Sequence, residues 1–395
     1  MSDLLRRAGR SIELKLLLAW IGVIAVTLIA DRENLQYWYS FDVCAWEILQ
    51  DTILLGIFAM GAAIIIIAGG IDLSSGAMIA LAATVFACLM KLFDPTGFAS
   101  NEIDISPWAF VGAIGGTLVL GLFVGTFHTW LITRVGLPPF VATLATLVGL
   151  RSLARGLAKI DGSGQVNFSE EWIRQILRSP TVLSATFVCL ALVLWILMSR
   201  SKLGRQLHAL GGNEQAAVLS GIPTDRLKWL AYCLGSLTAC VTGIFYLGET
   251  SAAKPDIDAV GYELNAIAAS VIGGCSLKGG VGTIPGVVLG CLFLSTVIDA
   301  IGRIVSDSKV YEGLIVGIVV VVAVAFSQRD RLTRRFFSDS IGWATIPFLA
   351  FLAGCVCYFF VKQTVASLVV GGIVGVLLVA WAIAESRGSK VRGEG

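Results

Sequence analysis

Apolar residues along the chain fall into runs of about bilayer length, separated by short polar segments. A hydrocarbon core of about 30 Å takes roughly 20 apolar residues per helical crossing. That ruler marks twelve candidates, near 14–30, 50–69, 73–92, 108–132, 138–158, 181–199, 227–248, 262–274, 282–302, 310–327, 341–361 and 364–384. A lipid-facing backbone must satisfy its own hydrogen bonds, and the runs are too long for barrel strands. The expected fold class is therefore all-α, a polytopic membrane helix bundle. Three stretches interrupt the row. The run 262–274 is short for a crossing and ends in Gly273-Gly274-Cys275-Ser276-Leu277-Lys278-Gly279-Gly280. An earlier break, Gly69-Gly70-Ile71-Asp72-Leu73-Ser74-Ser75-Gly76, has the same order of Gly-Gly, any residue, a short polar residue, leucine, two residues and glycine. Two such breaks point to an internal repeat, its copies facing the same way by helix count, with a pathway at the repeat interface. The third stretch, Glu249 to Asp258 after the run 227–248, is polar, contains a proline and faces outside if the N-terminus lies inside. A further loop, 204–222, is polar and helix-permissive between the runs 181–199 and 227–248, with surface on which a soluble partner can act. Gly211-Gly212-Asn213 is its expected entry turn into a short helix around Glu214.

Composition agrees with the pattern. The chain is 56% hydrophobic and only 14% charged, against roughly a quarter charged in soluble domains. A net charge of +2, with the basic residues scattered through loops, excludes nucleic acid as a partner. If the N-terminus lies inside, the cytoplasmic loops hold 18 of the 29 Lys and Arg residues. The positive-inside rule then places both termini in the cytoplasm, although Arg151, Arg155, Lys159, Arg174 and Arg178 cluster on the outer side against it. Arg6, Arg7, Arg10 and Lys15 before 16–30 resemble a signal peptide, but no small-x-small site precedes Asp31, so this helix is expected to be retained. Nine cysteines, among them Cys88, Cys189, Cys233, Cys240 and Cys291 inside apolar runs and a lone Cys355-x-Cys357, read as core fillers rather than disulfides or metal ligands.

Asp72 and Ser74 stand where the third helix begins, as N-caps or as pathway residues. A carboxylate at the bilayer centre costs about 2.5–3.5 kcal/mol on insertion scales, which puts the expected position of Asp72 near an interface or a water-lined cavity. Gly69, Gly70, Gly273 and Gly274 either allow close helix approach or flank the pathway. His128, alone on an apolar helix, is expected to hydrogen-bond across helices. No nucleotide-binding Gly-x-x-x-x-Gly-Lys-Ser/Thr occurs, because Lys278 is followed by Gly279, and neither His-Glu-x-x-His nor Gly-x-Ser-x-Gly is present. The chain is expected to be no enzyme and to need no cofactor or metal of its own. Transport is the class that remains.

Five stretches carry a resemblance: Ala68 to Gly76, Leu137-Pro138-Pro139-Phe140-Val141-Ala142-Thr143-Leu144, Arg155-Gly156-Leu157-Ala158, Gly204 to Ile222, and Gly261 to Leu277. In that order, from about residue 50 to 327, the chain resembles the ribose, xylose, arabinose and galactose permeases of bacterial ABC importers. The resemblance implies a ten-helix permease core, a permease homodimer in the bacterial inner membrane, a cytoplasmic ABC ATPase subunit that uses the ATP, and a periplasmic or lipid-anchored sugar-binding protein. It implies an ATPase-coupling loop at 200–226, with Gly204, Arg205, Gly211, Gly212, Asn213, Glu214, Ala216, Ala217 and Gly221 as coupling residues. Gly69, Gly70, Asp72, Ser74, Gly273, Gly274 and Ser276 are the implied pathway residues, and Lys254, Asp256 and Glu263 the implied docking residues for the binding protein. The chain departs from that family at Asn265, where an acid is frequent, and at Lys254, where glutamine is. It also continues past the family's usual end, after Arg329 to Arg335, with two more apolar runs. The expected organisation is a permease domain at 1–335 and an extra hairpin with a tail at 336–395. Two other classes compete: an ion-coupled secondary transporter of a small polar solute, which would want titratable groups within the membrane and has only Asp72 to offer, and a membrane-embedded enzyme, which lacks a catalytic constellation.

Overall fold

A computed structural model describes residues 12–30, 41–93, 106–159, 164–167 and 171–304, with Gly313, Gly317 and Pro347 as isolated positions. The last three apolar runs and the boundary expected at 335 lie outside the described residues, the isolated positions apart. In chain order the elements are α1 Ile12–Ala30, α2 Phe41–Ile67, α3 Ser75–Phe93, α4 Pro107–Thr133, α5 Pro139–Ala158, β1 Val166–Asn167, α6 Glu171–Arg178, α7 Pro180–Arg200, α8 Lys202–Gly212, α9 Glu214–Leu219, α10 Thr224–Thr250, β2 Ala252–Ala253, α11 Tyr262–Ile272 and α12 Ile284–Ile304. Six of them, α2, α3, α4, α5, α7 and α10, are long and apolar enough to cross a membrane. The two-residue strands pair antiparallel, Val166 with Ala253 and Asn167 with Ala252, and are the departure from an all-helical chain among the described residues.

α10 is the axis of the bundle and packs on α2, α3 and α4. α12 lies between α2 and α1, α11 pairs with α12 and α2, and α5 covers α3. Lipid tails are as apolar as leucine, so burial alone does not drive such helices together. Small residues that let backbones approach, and so gain dispersion contacts, do. At the crossing of α4 and α10, a methyl group on Gly125 would come within 2.6 Å of Cys233 Cα, backbone against backbone. Gly125→Leu should therefore force α4 away from α10. The expected destabilisation is about 1–3 kcal/mol or more, visible as a lower melting temperature of the purified protein, while Gly115→Leu, with no neighbour near that position, should melt like wild type.

α2 starts nine residues before its apolar run. Its first turns carry Asp42, Glu47, Gln50 and Asp51, which hydropathy reads as loop although acidic residues near a helix N-terminus are favourable. Gln50 Nε2 donates to the Glu249 carboxylate at the end of α10, which ties the polar ends of the two helices.

One helix, α3, begins inside the bundle rather than at its surface, with Ser74 and Ser75 buried. Gly70 lies beside Tyr232 and Ile79 beside Gly243, so the chain between them climbs about 16 Å along α10 at 1.5 Å per residue, its first part, 70–74, in non-helical backbone. α11 starts against α3, its first turn partly exposed. After β2 the segment 254–261 turns back, and Glu263 in the first turn of α11 comes to rest against Gly76 in the first turn of α3. The N-terminal ends of α3 and α11 thus meet within the protein.

Candidate functional site

Each glycine break is a helix C-cap of one kind. At the end of α2, Gly69 N–H donates to Ile66 C=O and Gly70 N–H to Ile65 C=O, both at 2.9 Å, with Gly69 at φ 86°. At the end of α11, Gly274 N–H donates to Val271 C=O and Cys275 N–H to Ser270 C=O, again at 2.9 Å, with Gly274 at φ 93°. This double bond closes a helix through a left-handed residue, and glycine takes that conformation without a Cβ penalty. Gly69 is therefore equivalent to Gly274. The sequence pattern, which aligns Gly69 with Gly273, is one residue out of register. Gly273 takes the place of Ala68 because it must clear α12: a methyl group there would lie 2.5 Å from the Gly286 carbonyl oxygen.

After the first break the chain is held by a buried polar cluster. Asp72 Oδ1 accepts from Ser74 N–H at 2.8 Å and from Ser74 Oγ–H at 2.6 Å. His128 Nε2 on α4 lies 2.7 Å from Thr146 Oγ1 on α5 and 3.3 Å from Ser74 Oγ. Ser74 gives its proton to Asp72, and Thr146 gives its own to a carbonyl of α5. Both hydroxyls therefore offer His128 only lone pairs, which assigns the imidazole proton to Nε2. His128 makes the interhelical bond expected of it. Asp72 is 5% exposed, enclosed by protein and satisfied by Ser74. Ser74 is the residue from which α3 starts, its carbonyl accepting from Met78 N–H.

The polar stretch after α7 forms two helices. Ser201 caps α8, its Oγ accepting from Gly204 N–H at 3.0 Å, and Asn213 caps α9, its Oδ1 accepting from Ala216 N–H at 3.0 Å. The expected entry turn is divided: Gly211 and Gly212 close α8, and Asn213 opens α9. A methyl group on Gly204 would overlap carbonyls of Leu197 and Met198, so glycine permits the tight corner between α7 and α8. Leu207 and Leu210 anchor α8, and Ala217 anchors α9. Lys228 on α10 holds the α9 carboxylate Glu214 at 2.6 Å. Arg205, Gly212, Glu214, Ala216, Val218, Leu219 and Gly221 face outward, Leu219 at 89% exposure.

Residues expected for coupling and residues expected for the pathway, separate in the sequence, meet here. The side of Gly211 that would carry a methyl group faces the Ile67 carbonyl oxygen and lies 2.6 Å from Gly280 N, while Gly279 packs against Gly69 and Gly211. Gly280 N–H donates to Ile67 C=O at 2.9 Å, and His208 Nδ1–H of α8 donates to Gly280 C=O at 3.0 Å. α8 thus rests on the end of the first break and on the far end of the second. Ser276 belongs to the second break, its carbonyl accepting from Gly279 N–H. Sequence reasoning does not single out His208 or Gly279. A lone histidine in a loop with few other titratable groups is the available signal.

At the opposite end, Asp256 pairs with Arg155 at 2.7 Å, both well exposed. Lys254 N–H donates to the Asp258 carboxylate, whose pKa burial pushes up while the Lys254 N–H and the positive charges of Lys254 and Arg151 hold it down. Glu263 is turned inward, against Gly76, and away from the surface on which Asp256 stands.

Residues 45–324 match the family described as branched-chain amino acid transport system / permease component. The chain belongs to this permease family. Among its relatives, the ribose import permease protein RbsC of Bacillus subtilis is 31% identical over 323 residues, 78% of this chain and 92% of that protein. The ribose import permease protein RbsC of Escherichia coli K12 is 32% identical over 72% of this chain and 86% of its own. The galactose/methyl galactoside import permease protein MglC of the same strain is 32% identical over 71% and 85%. No solved structure matches. The permease is thus a multi-pass membrane transport subunit and not an enzyme.

Proposed function

We propose that the permease forms the translocation pathway of an ATP-driven importer for a monosaccharide delivered by a separate binding protein, that it works as a dimer, and that a cytoplasmic ATPase subunit docks on α8 and α9. Both chain termini then face the cytoplasm. The observation that carries this reading is the double role of α8 and α9: they present Val218 and Leu219 to solvent at the polar end of an apolar bundle, while the backbone of α8 rests on both glycine breaks. Exposed apolar side chains on so polar a segment fit a protein groove, and any force on them is delivered to Ile67 and Gly280. The relatives' names point to pentoses and hexoses, ribose and galactose among them.

Docking is tested by a charge in the apolar contact. Leu219→Asp should reduce co-purification of the ATPase subunit by about tenfold or more, since burying an unpaired carboxylate costs more than the roughly 1.4 kcal/mol that a factor of ten represents. Ser220→Ala, on the same exposed turn, should retain binding. Equal capture by Leu219→Asp and wild type would place the docking surface elsewhere.

A further inference from the structure

Arg151 stands in an apolar helix, three turns into α5, and is 8% exposed although most of that helix is not covered by the bundle. Its guanidinium is spent on backbone. Nη1 donates to the Pro255 and Asp258 carbonyls, both at 2.9 Å, and Nη2 to the Ala259 carbonyl at 3.3 Å. Glu263, Asp258 and Asp256 supply negative charge around it, and Arg155 is the other cation nearby. The segment held in this way is strained: Ala259 lies at φ 50° and Ser251, just before β2, at φ 61°, in the region that favours glycine. Such residues persist only where their surroundings over-determine them. Ala259 is 1% exposed, and the oxygen that accepts from Arg151 also lies on Gly76, where a methyl group would be 2.5 Å from it. Ile257 and Val260, in the same segment, are 67% and 59% exposed.

We propose that Arg151 is a positioning residue for transport: it latches the segment 254–261 against the meeting ends of α3 and α11 and so closes the bundle on the side opposite α8. The transport role rests on the importer reading given above; the latch itself does not. Three carbonyls turned inward have the guanidinium as their donor. Without it they are left buried and unpaired, and water is their remaining partner. The segment then moves outward, α11 loses its seat on Gly76, and the passage opens from that side without a signal from α8. Arg155 and Asp256, exposed and paired at the surface, are screened by solvent and cannot replace the latch. Sequence counting registers Arg151 as a violation of the positive-inside rule. The geometry gives it a reason to be there.

The test uses purified full-length permease with a single added reporter thiol, introduced as Ala259→Cys or as Ile257→Cys, labelled by a polar maleimide and corrected for the native cysteines. With Arg151 intact, the thiol of Ala259→Cys should react at least about tenfold more slowly than that of Ile257→Cys, as expected of a site reached only by local opening. Arg151→Met should bring the two rates together by raising the first, and should leave the Ile257→Cys rate and the gel-filtration volume unchanged; Arg151→Lys should fall between. In the reconstituted importer, Arg151→Met should then hydrolyse ATP without sugar and lose uptake. If Arg151→Met is not recovered folded, Arg151→Lys alone must raise labelling of Ala259→Cys. Unchanged labelling of Ala259→Cys in the folded variants overturns the latch whatever the importer does, because labelling needs no ATPase partner. Raised labelling with uptake and hydrolysis both unaltered overturns the role in transport and leaves the importer reading intact.

Discussion

Replacing Gly211 with alanine is expected to reduce sugar uptake by about tenfold or more while the ATPase subunit stays bound. The added methyl group would overlap the Ile67 carbonyl oxygen and stand 2.6 Å from Gly280 N. Both neighbours are backbone, and each is fixed by the hydrogen bond from Gly280 N–H to Ile67 C=O, so no rotamer change relieves the clash. α8 must lift off both breaks, at a cost of the order of 1–3 kcal/mol for overpacking, and a push received by α8 no longer reaches them. Val218 and Leu219, the proposed docking residues, are untouched, so hydrolysis should continue but lose its stimulation by sugar and binding protein. The control is adjacent. Nothing lies near a methyl group on Gly212, and alanine there should favour the end of α8 by a fraction of the roughly 1 kcal/mol that separates alanine from glycine within a helix. Gly212→Ala should therefore transport normally. Equal uptake by Gly211→Ala and Gly212→Ala would show that α8 does not transmit through this contact.

The second large effect is expected at Gly273. A methyl group there would lie 2.5 Å from the Gly286 oxygen, 2.6 Å from its carbonyl carbon and 2.8 Å from Val287 Cα. Gly286 faces Gly273 in turn, so the α11–α12 hairpin has no slack on either side. Gly273→Ala should splay the hairpin, lower the melting temperature by several degrees and abolish uptake, since about 1–3 kcal/mol of overpacking falls on a short, tightly closed helix pair. Gly70→Ala should be milder. Its methyl group meets Tyr232 Oη at 2.6 Å and Ile65 Cγ2 at 3.0 Å, and both are side-chain atoms that can yield. Uptake and melting curves of the two variants in one detergent decide the order, and a Gly70→Ala variant worse than Gly273→Ala would contradict the packing described here.

Helices with uniform apolar surfaces are legible almost to the residue. The runs 108–132, 138–158 and 181–199 correspond to Pro107–Thr133, Pro139–Ala158 and Pro180–Arg200, each with a proline at its first turn to fix the start. Hydropathy misjudges the N-terminal end of α2 because polar turns can be helical when their carboxylates lie at the positive end of the dipole. α6 escapes it because Glu171–Arg178 carries its buried apolar residues, Ile173 and Leu177, on one narrow face, and the helix is too short for any bilayer window. Asn213 as an entry cap follows from residue type alone, since an asparagine oxygen before Glu214 has little else to do. The register of the glycine breaks does not: the cap hydrogen bonds make Gly273 the counterpart of Ala68, and it is glycine because α12 passes against it. Arg151 and His208 escape for a common reason. Each bonds to backbone carbonyls, so no partner residue type marks the pair in the sequence.

The central claim, that this chain moves a sugar when an ATPase pushes on α8 and α9, is tested most directly in proteoliposomes holding the permease, its ATPase subunit and the binding protein, with labelled ribose as the first probe. Ribose relatives motivate that choice, and galactose is the second. Uptake should require ATP and both partners, survive collapse of proton and sodium gradients, and disappear with Leu219→Asp. Accumulation driven by an ion gradient, in vesicles that contain the permease but no ATPase, would contradict the account and return the chain to the class of secondary transporters.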